Sequence, residues 1–579
     1  MTGPLNDLTQ LVRAAARAAY GDATDQVEVA TRRSDHADYQ ADVALALARL
    51  LKRNPREIAA GIVANLPLKG AVGDAAVSGP GFINLNCDSR YLGLQLEQML
   101  ADPRLRVERA QTSDTVVVDF SSPNLAKEMH AGHLRSTIIG DCLARVLEYL
   151  GHHVIRQNHL GDWGTPFGML IEHLIDIGAA DGGGTDVREL SAFYRSARTK
   201  FDQDAAFSER ARARVVLLQS ADRPTLELWS RLIEITAAHL DTLYGRLQVR
   251  LGPEHVAGES MYNPQLGDIV AELESQGLAQ TSDGAVCVFP PGFVARDGRP
   301  LPLIVRKQDG GFGYAATDLA ALKYRVRKLG AGRVLYVVGA PQSQHLAMVF
   351  ETARLAGWVG EGVQLEHVAF GSVLGENGKV LRSRAGEAVR LAELLDEAVA
   401  RARAVVDKAS ASLREDERRS ISETVGVGAV KYADLANDRV RDYVFDWNRM
   451  LAFDGNTATY LMYAHARMRS ILRRAGENCA LPDNSPAPVL IETLEERKLA
   501  LELLQFPNTV LRVGETLQPH RLCQQLFQIG AAFSGFYDRC PVLTAPPATR
   551  SSRLRLCELT ARVLACGLEL LGIQAPQSM

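Results

Sequence analysis

The feature that most constrains the fold is a β-strand, a turn and a helix entrance that follow one another without a gap. Residues 116–118 are three valines, as expected of a buried strand. Residues 121–124 (SSPN) form the turn, and a helical pattern begins after His133. Helix entrances attract anions, because their backbone N–H groups lack intrahelical partners and the helix dipole is positive there. With His130 nearby, the arrangement predicts a nucleotide-phosphate site; helix capping beside two surface histidines is the alternative.

Two neighbours of these histidines extend the prediction. Gly132 has no Cβ, so a flat base can lie against its backbone. Lys127 adds a mobile positive charge for phosphate oxygens. Together the four residues are typical of a nucleoside triphosphate site.

The same stretch carries a family resemblance. HAGH (130–133) resembles the HIGH signature of class I aminoacyl-tRNA synthetases, and SSPNLAKEMHAGHLRSTIIGD (121–141) is similar to the form found in arginyl-tRNA synthetases. Matches elsewhere extend the resemblance over nearly all of residues 1–579. It implies an α/β fold with three parts: a Rossmann-type parallel-sheet catalytic domain, an N-terminal α/β accessory domain and a C-terminal α-helical anticodon-binding bundle.

Composition sets wider limits. The length of 579 residues implies several domains, and 46% hydrophobic with 23% charged residues is ordinary for globular proteins. Lys and Arg number 65 against 68 Asp and Glu, so an RNA surface must come from local placement of basic residues. The eight cysteines form no CxxC pair, which argues against zinc knuckles and redox dithiols. Free thiols, no secretion signal and no apolar run near the about 20 residues that cross a membrane lead us to expect a cytoplasmic protein.

Four segments are predicted along the chain. They are an N-terminal accessory domain that binds the tRNA elbow (1–112), a class I Rossmann-type catalytic domain (113–390) with an insertion at about 180–300, a connecting helical region (391–450) and an α-helical anticodon-binding domain (451–579). Strand-like and helix-like patterns alternate in the catalytic segment, which favours a parallel sheet with ligands at the C-terminal ends of its strands. Near the end of the chain, 554–571 has the pattern of an amphipathic helix and 544–552 that of a loop.

The resemblance assigns an arginine pocket to acidic, amide and tyrosine side chains. A carboxylate at Asp318 can pair with a guanidinium group, and the ring of Tyr314 can pack on its plane. From the residues alone, a surface turn with one capping aspartate explains this segment as well. The full arginine-binding set that the resemblance implies is Asp119, Asn124, Glu259, Tyr314, Asp318 and Gln342.

The nucleotide end of the site is implied in the same way. Class I synthetases carry a mobile lysine loop, KMSKS, but residues 370–384 hold no such string, and VLRSR (380–384) stands in its register. In arginyl enzymes with a degenerate loop, a lysine just before the HIGH box is thought to compensate, which here is Lys127. The implied ATP-binding residues are His130, Gly132, His133, His345, Val373 and Leu374. The implied catalytic residues are His130, His133, Lys127, Lys379, Arg382 and Arg384.

The predicted tRNA contacts lie in the two outer domains. Phe82 and Asn84 match positions that contact the tRNA D-loop, although Phe82 fits a core position equally well. Tyr460, Tyr463 and Arg467 follow helical steps of three and four and share one face, where they can stack on or pair with loop bases; a buried aromatic stripe is the alternative. Tyr537 and Met579 match further contact positions.

The resemblance implies an arginine–tRNA ligase. Such an enzyme activates L-arginine with ATP to arginyl adenylate and then transfers arginine to the 3′ end of tRNA(Arg). The implied partners are tRNA(Arg), L-arginine and ATP with Mg²⁺; no membrane, metal ligand or permanently bound cofactor is expected, and the chain is expected to be a monomer. Three alternatives stay open: a class I-like ligase that makes adenylates without charging tRNA, a catalytically silent RNA-binding paralogue, and a duplicate synthetase with a specialised role.

Overall fold

The computed structural model describes residues 3–125, 128–178, 190–375, 377–381, 389–409, 414–478 and 489–579. The chain divides into two compact units. The first contains Met1–Arg109, Ala402–Tyr432 and Asn448–Met579, and the second contains Ala110–Arg401 and Ala433–Trp447. Three predicted site residues, Lys127, Arg382 and Arg384, lie outside the described residues.

The first unit begins with a four-stranded antiparallel sheet covered by helices. Its strands are β1 (Thr31–Arg33), β2 (Tyr39–Ala41), β3 (Val72–Ser78) and β4 (Phe82–Cys87), in the order β1-β2-β4-β3. Its helices are α1 (Pro4–Tyr20), α2 (Val43–Leu51), α3 (Pro55–Ala64) and α4 (Ser89–Ala101). Asn54 and Asp88 fix the starts of α3 and α4, because each side chain accepts hydrogen bonds from the first turn of its helix. Alternate residues of β4 are buried, so one face of the sheet packs on the helices.

The second unit holds the parallel sheet. Its strands are β5 (Thr115–Asp119), β6 (His153–Gln157), β7 (Ala279–Ser282), β8 (Ala285–Val288), β9 (Leu303–Arg306), β10 (Arg333–Tyr336), β11 (Gln364–His367), β12 (Val373–Leu374) and β13 (Tyr443–Val444). Four of them form a sheet in the order β11-β10-β5-β6, with every pair parallel. The predicted α/β architecture with a parallel catalytic sheet is confirmed. The antiparallel sheet β7-β8-β9 was not anticipated from the sequence.

The helices that follow either pack near this sheet or belong to the predicted insertion, and the last of them continues into the first unit. They are α5 (Ala131–Tyr149), α6 (Thr165–Asp176), α7 (Leu190–Gln203), α8 (Ala205–Gln219), α9 (Arg223–Leu247), α10 (Asn263–Ser275), α11 (Tyr314–Arg327), α12 (Ser343–Leu355) and α13 (Leu391–Ala409). The apolar core on one side of the sheet contains Val117, Val334, Leu319 and Val349, all fully buried. This packing fixes α11 and α12 against β5 and β10, and so fixes the positions of the side chains at their starts.

The C-terminal part is helical, as expected. Its helices are α14 (Glu415–Leu435), α15 (Trp447–Met450), α16 (Ala458–Asn478), α17 (Leu494–Thr516), α18 (His520–Arg539) and α19 (Pro547–Leu570). The loop prediction for 544–552 is wrong over most of its length, since α19 begins at Pro547. A proline at the first helical position loses no hydrogen bond, so here it starts a helix rather than interrupting one. Among the helices of the described residues, none is long and apolar enough to cross a membrane.

Within the first unit, the N-terminal domain packs directly on the helical bundle. Arg497 of α17 forms an ion pair with the buried carboxylate of Asp38, with its Nε 3.0 Å from Oδ1. Arg562 of α19 donates a hydrogen bond to the carbonyl of Asp102 at 2.9 Å, and the N–H of Val489 donates to Glu97 at 2.7 Å. The two domains predicted to bind tRNA therefore share one compact body.

Candidate active site

Four parallel strands bring the candidate site residues to one edge of the sheet. The register places Asp119, the last residue of β5, level with Gln157 of β6 and Tyr336 of β10. Tyr336 in turn lies level with His367 of β11. The segments after these strands therefore start side by side, at the edge where parallel α/β sheets bind ligands.

The two histidines of the HAGH string close the N-terminus of α5. Nδ1 of His130 accepts a hydrogen bond from the N–H of Gly132 at 3.0 Å, and Nδ1 of His133 accepts one from the N–H of His130 at 3.1 Å. Because both Nδ1 atoms accept, a neutral ring at either position carries its proton on Nε2. The ring centroids are 4.0 Å apart, so two Nε2–H donors stand together at a helix N-terminus.

Gly132 is required here by the ring of His130. A Cβ at residue 132 would lie 2.8 Å from Cε1 of that ring, closer than real Cβ contacts allow. The sequence predicts that the missing Cβ admits a flat base. In the structure, the missing Cβ lets the imidazole of His130 fold back over the helix entrance. The contact of Gly132 with a nucleotide stays a prediction.

A cavity of about 190 Å³ opens beside this helix entrance. Its walls combine the start of α5 with the segments that follow β10 and β11: His130, Ala131, Gly132, Arg135, Gly339, Pro341, Phe370, Gly371, Ser372, Val373, Val380 and Leu381. In another protein, an apolar cavity of about 150 Å³ binds benzene, so this cavity suits one planar ring system. Val373, a predicted ATP contact, lines it, and Leu374 is the next residue of β12.

The described part of the predicted catalytic loop is a tight hairpin. Leu374 and Val380 form an antiparallel bridge, and the N–H of Gly375 donates to the carbonyl of Lys379 at 2.8 Å. Lys379 is exposed, as is Val380. The chain returns at Val389, whose carbonyl accepts from the N–H of Ala131 at 2.9 Å. Val380, which lines the cavity, and Val389 therefore both lie beside the HAGH helix entrance, and Arg382 and Arg384 lie outside the described residues.

The turn after β5 has an unusual backbone. Ser121 and Ser122 have φ values of 69° and 47°, the left-handed region that non-glycine residues avoid. Asp119 holds the turn from the strand end: its Oδ1 accepts from Ser122 Oγ at 2.8 Å, and its Oδ2 pairs with Arg325 of α11 at 2.8 Å. Arg325 is 1% exposed and also donates to Gln157 at 2.6 Å. Both carboxylate oxygens of Asp119 thus have protein partners, and its predicted contact with the substrate amino group stays a prediction.

Asn124 follows this turn and is exposed. Its side chain lies over Gly161, where a Cβ would approach Asn124 Oδ1 to 2.0 Å. Main-chain hydrogen bonds between Gly161 and both Pro123 and Leu125 hold the two segments side by side. A glycine after β6 therefore makes room for the predicted substrate-binding amide after β5.

Three carboxylates form the acidic part of the pocket. Burial, followed by the nearby charges of Asp162 and Asp318, raises the pKa of Glu259 to about 7. Burial also raises the pKa of Asp162, although its hydrogen bonds from Ser260 oppose this. This group of buried and partly buried carboxylates favours a cationic ligand.

His345 reaches the acidic pocket rather than the cavity beside α5. Its Nε2 lies 2.6 Å from Asp318 Oδ2, and this hydrogen bond raises the pKa of His345. Tyr314 lies one helical turn before Asp318 on the same face of α11 and is 77% exposed. Gln342 is exposed at the start of α12. The contact of His345 with a nucleotide stays a prediction, as do the substrate contacts of the other three.

Sequence reasoning missed several residues that shape the site. Asp162 and Arg325 bring buried charges to it, and Tyr244 of α9 contacts the turn after β5 through its hydroxyl. The segment around Asp162 follows a predicted strand, which is a usable signal in a parallel fold. Nothing in the local sequence marks Arg325 or Tyr244, because their partners are distant in the chain.

The first unit presents the predicted tRNA contacts on two surfaces. On the N-terminal sheet, Phe82 and Asn84 lie on the face of β4 opposite the buried core, so the core alternative for Phe82 does not apply. The guanidinium of Arg32 lies 5.8 Å from the centre of the Phe82 ring, and Gln40 donates to Asn84 Oδ1 at 2.8 Å. This face combines an aromatic ring, a cation and amides, which are the groups that contact RNA bases and phosphates.

The second surface lies on the bundle. The guanidinium of Arg467 stacks on Tyr537 at 4.1 Å, and Tyr463 is 42% exposed and meets Phe453 edge to face. Tyr460 is partly buried, with its hydroxyl 3.0 Å from Ser534 Oγ. The C-terminal tail packs on the same helix, since His465 contacts the carbonyl of Pro576 at 2.9 Å; Met579 ends this tail.

Comparison with known proteins adds the family. The family model described as "tRNA synthetases class I (R), catalytic domain" matches residues 95–447, "DALR anticodon binding domain" matches 461–579, and "Arginyl tRNA synthetase N terminal domain" matches 6–87. An arginine–tRNA ligase of Thermobifida fusca (strain YX) is 51% identical over 581 residues, covering 100% of both chains.

Solved structures agree. The crystal structure of arginyl-tRNA synthetase from Plasmodium falciparum superposes with a TM-score of 0.83 at 27% identity, covering 99% of each chain. Arginyl-tRNA synthetase of Thermus thermophilus superposes with a TM-score of 0.80 at 26% identity, covering 99% of this chain and 100% of that one. The chain belongs to the arginyl-tRNA synthetase family of class I, ATP-dependent aminoacyl-tRNA ligases.

Proposed function

We propose that this arginine–tRNA ligase joins L-arginine to tRNA(Arg) in two steps at the sheet edge described above. In the first, a carboxylate oxygen of arginine attacks the α-phosphorus of ATP, and the bond to pyrophosphate breaks. In the second, a ribose hydroxyl at the tRNA 3′ end attacks the arginyl carbonyl carbon, and AMP leaves. The observation that carries the proposal is a group of three buried or partly buried carboxylates, together with a helix N-terminus that holds two imidazoles.

The start of α5 and the segments after β10 and β11 form the nucleotide side of the site. His130 and His133 donate from Nε2 to phosphate oxygens of ATP, whose phosphates carry Mg²⁺. The cavity bounded by Gly132 and Val373 receives the adenine. Lys379, in the hairpin, adds charge to the triphosphate, together with Lys127, Arg382 and Arg384. Because the nucleophile is already a carboxylate, the first step needs positioning and charge stabilisation but no general base.

The turn after β5 and the acidic pocket form the arginine side. Asp318 and Glu259 pair with the guanidinium group, and Tyr314 covers it. Asp119, Asn124 and Gln342 contact the α-amino and backbone groups of the substrate. Citrulline has the shape of arginine without its charge, so this pocket should reject it strongly.

The other assignments follow from the family and the composition. The N-terminal domain binds the tRNA elbow through Phe82 and Asn84, and the C-terminal bundle binds the anticodon loop through Tyr460, Tyr463, Arg467, Tyr537 and Met579. The enzyme acts as a monomer in the cytoplasm. The segment boundaries proposed for these roles are 1–112, 113–390, 391–450 and 451–579.

The test of the reaction is aminoacylation of total tRNA with each of the 20 amino acids in the presence of ATP and Mg²⁺. Charging by arginine alone supports the proposal. A folded protein that binds tRNA but charges nothing would favour the silent paralogue. Adenylate formation without transfer would favour the ligase that does not use tRNA.

The test of the pocket is Asp318→Asn, with Asp309→Asn in a nearby exposed turn as the control. Loss of the carboxylate should raise the KM for arginine by about 10- to 100-fold, because a hydrogen bond to a charged group contributes about 1.5–3 kcal/mol. The KM for ATP should stay within twofold. An unchanged KM for arginine would remove Asp318 from the site.

We also propose that arginine activation requires bound tRNA. The measurement is exchange of pyrophosphate into ATP with and without tRNA(Arg). Exchange that disappears when tRNA is omitted supports the requirement, and full exchange without tRNA refutes it.

A further inference from the structure

Helices α7 to α9 of the insertion hold none of the predicted site residues. Two of their side chains nevertheless contact the two ends of the turn after β5. Tyr244 of α9 lies with its hydroxyl 2.8 Å from Ser121 Oγ, at the start of the turn. Tyr194 of α7 donates from its hydroxyl to the carbonyl of Leu125 at 2.9 Å, at the end of the turn. Both tyrosines are buried. Asn124, the predicted substrate contact, lies between the two attachment points.

The hydroxyl of Tyr244 holds both strained residues of the turn. Asn158 donates from Nδ2 to this hydroxyl at 3.0 Å, and its Oδ1 accepts from the N–H of Ser122 at 3.0 Å. The tyrosine thus orients the amide that fixes Ser122, while it contacts Ser121 directly. Burial raises the pKa of Tyr244 to about 12, so the hydroxyl keeps its proton. The Asn158 amide already donates to the hydroxyl oxygen of Tyr244. The hydroxyl group can therefore donate its own hydrogen bond to Ser121 Oγ.

The strain of this turn needs an external restraint. Two successive non-glycine residues in the left-handed region each cost about 1–2 kcal/mol, and such conformations persist only where surrounding contacts fix them. Ser136 of α5 accepts from the N–H of Ser121 at 2.9 Å and so supplies part of the restraint. A third side chain of the insertion, Trp229, donates to the carbonyl of Asp162 at 2.8 Å, on the acidic side of the pocket.

We propose that Tyr244 and Tyr194 are positioning residues for arginine, through which the helical insertion sets the shape of the substrate-binding turn. The inference rests on the proposed function of the pocket. The two tyrosines should affect the end of arginine that carries the α-amino group, since this is the end assigned to the turn. The guanidinium end, held by Asp318 and Glu259, lies on other segments and should not change.

The experiment compares Tyr244→Phe and Tyr194→Phe with the wild type in aminoacylation. Each variant should raise the KM for arginine about tenfold and leave the KM for ATP within twofold, because buried groups that lose a hydrogen-bond partner cost free energy. The control is Tyr432→Phe in the first unit, whose buried hydroxyl donates to Asn456 at 2.6 Å and lies 2.9 Å from the carbonyl of Cys523. Tyr432→Phe should lower the melting temperature about as much as Tyr244→Phe and Tyr194→Phe do, but it should leave the KM for arginine and the KM for ATP unchanged.

A substrate analogue separates positioning from a general loss of structure. 5-Guanidinovalerate is arginine without its α-amino group, and its inhibition constant should be the same for the wild type, Tyr244→Phe and Tyr194→Phe. Equal rises for arginine, the analogue and ATP would overturn the proposal, as would an unchanged KM for arginine in both variants. If Tyr244→Phe fails to fold, Tyr194→Phe decides alone. A wild type that charges no arginine would instead refute the proposed function.

Discussion

The arginine side and the nucleotide side of the site are built in different ways. On the arginine side, buried side chains hold the geometry: Asp119 pairs with Arg325, and Tyr244 and Asn158 hold the strained serines. On the nucleotide side, main-chain groups take part throughout: N–H groups at the start of α5 donate to the two histidine rings, and main-chain hydrogen bonds close the hairpin. A site made of side chains depends on residue identity, while one made of backbone depends on conformation. A hairpin held by main-chain hydrogen bonds can therefore form without a KMSKS string.

The largest effect is expected on the arginine side, from Arg325→Met. This change leaves the 5%-exposed carboxylate of Asp119 without its cation, and breaking a buried pair costs about 3–5 kcal/mol. Urea unfolding followed by tryptophan fluorescence reports on the unit that contains this pair. All four tryptophans lie in the second unit: Trp163, Trp229, Trp358 and Trp447.

The control for this change is Arg299→Met, whose pair with Asp297 is exposed and should contribute about 1 kcal/mol or less. A midpoint for Arg325→Met that matches the control would show that the buried pair does not hold the arginine side together.

The next effect is a pH dependence that belongs to the arginine side. Glu259 has a pKa of about 7, so below pH 7 it is increasingly protonated and loses the charge that attracts the guanidinium. The KM for arginine should therefore rise by up to about tenfold per pH unit as the pH falls below 7. His345 acts in the same direction, since its protonated ring holds Asp318 more strongly.

Glu259→Gln should remove most of this pH dependence and raise the KM for arginine at pH 8. The matched control is Glu254→Gln in the preceding loop, an exposed residue that should keep the wild-type profile. A Glu259→Gln enzyme with the full wild-type profile would assign the dependence to His345 or Asp162.

A smaller effect is expected on the nucleotide side, from Gly378→Ala. Gly378 has a φ of 70°, where a Cβ costs about 1–2 kcal/mol, so the hairpin should lose part of its population and the KM for ATP should rise about fivefold or more. Gly362→Ala is the control, because nothing lies near its Cβ position and its φ is ordinary. Equal KM values for ATP in both variants would show that the hairpin conformation does not matter.

The smallest effect is expected from Val380→Thr. Val380 borders the cavity, but its side chain is 58% exposed and threonine is of similar size; its backbone, not its side chain, forms the bridge to Leu374. The KM values for ATP and arginine should both stay within twofold. A larger change would mean that the hairpin, like the arginine side, depends on its side chains.

Local patterns allowed much of the fold to be predicted. The strand–turn–helix at residues 116–149 was recognisable because three consecutive valines, a turn and a helical pattern are all short-range signals. The parallel sheet followed from alternation of elements along the chain. Pro547 led to a wrong prediction because proline is common both within loops and at the first position of helices, and only packing decides between the two.

The supports of the site could not be predicted in this way. Arg325 reads as an ordinary basic residue in a helix, and its burial against Asp119 depends on how α11 packs on the sheet. Tyr244 and Tyr194 read as apolar positions of helices, and their hydroxyl partners belong to a distant segment. Motifs show which residues face a ligand, whereas long-range packing determines which residues hold them there.

Arg497 and Asp38 join the N-terminal domain to the bundle, so the sheet face with Phe82 and the helix face with Tyr463 stay at a fixed separation. If both faces bind one tRNA, the second contact forms at a high effective concentration and the two affinities multiply. A stem-loop with the anticodon arm alone would make one contact and bind far more weakly. The enzyme would then select its tRNA by the length from elbow to anticodon as well as by its bases.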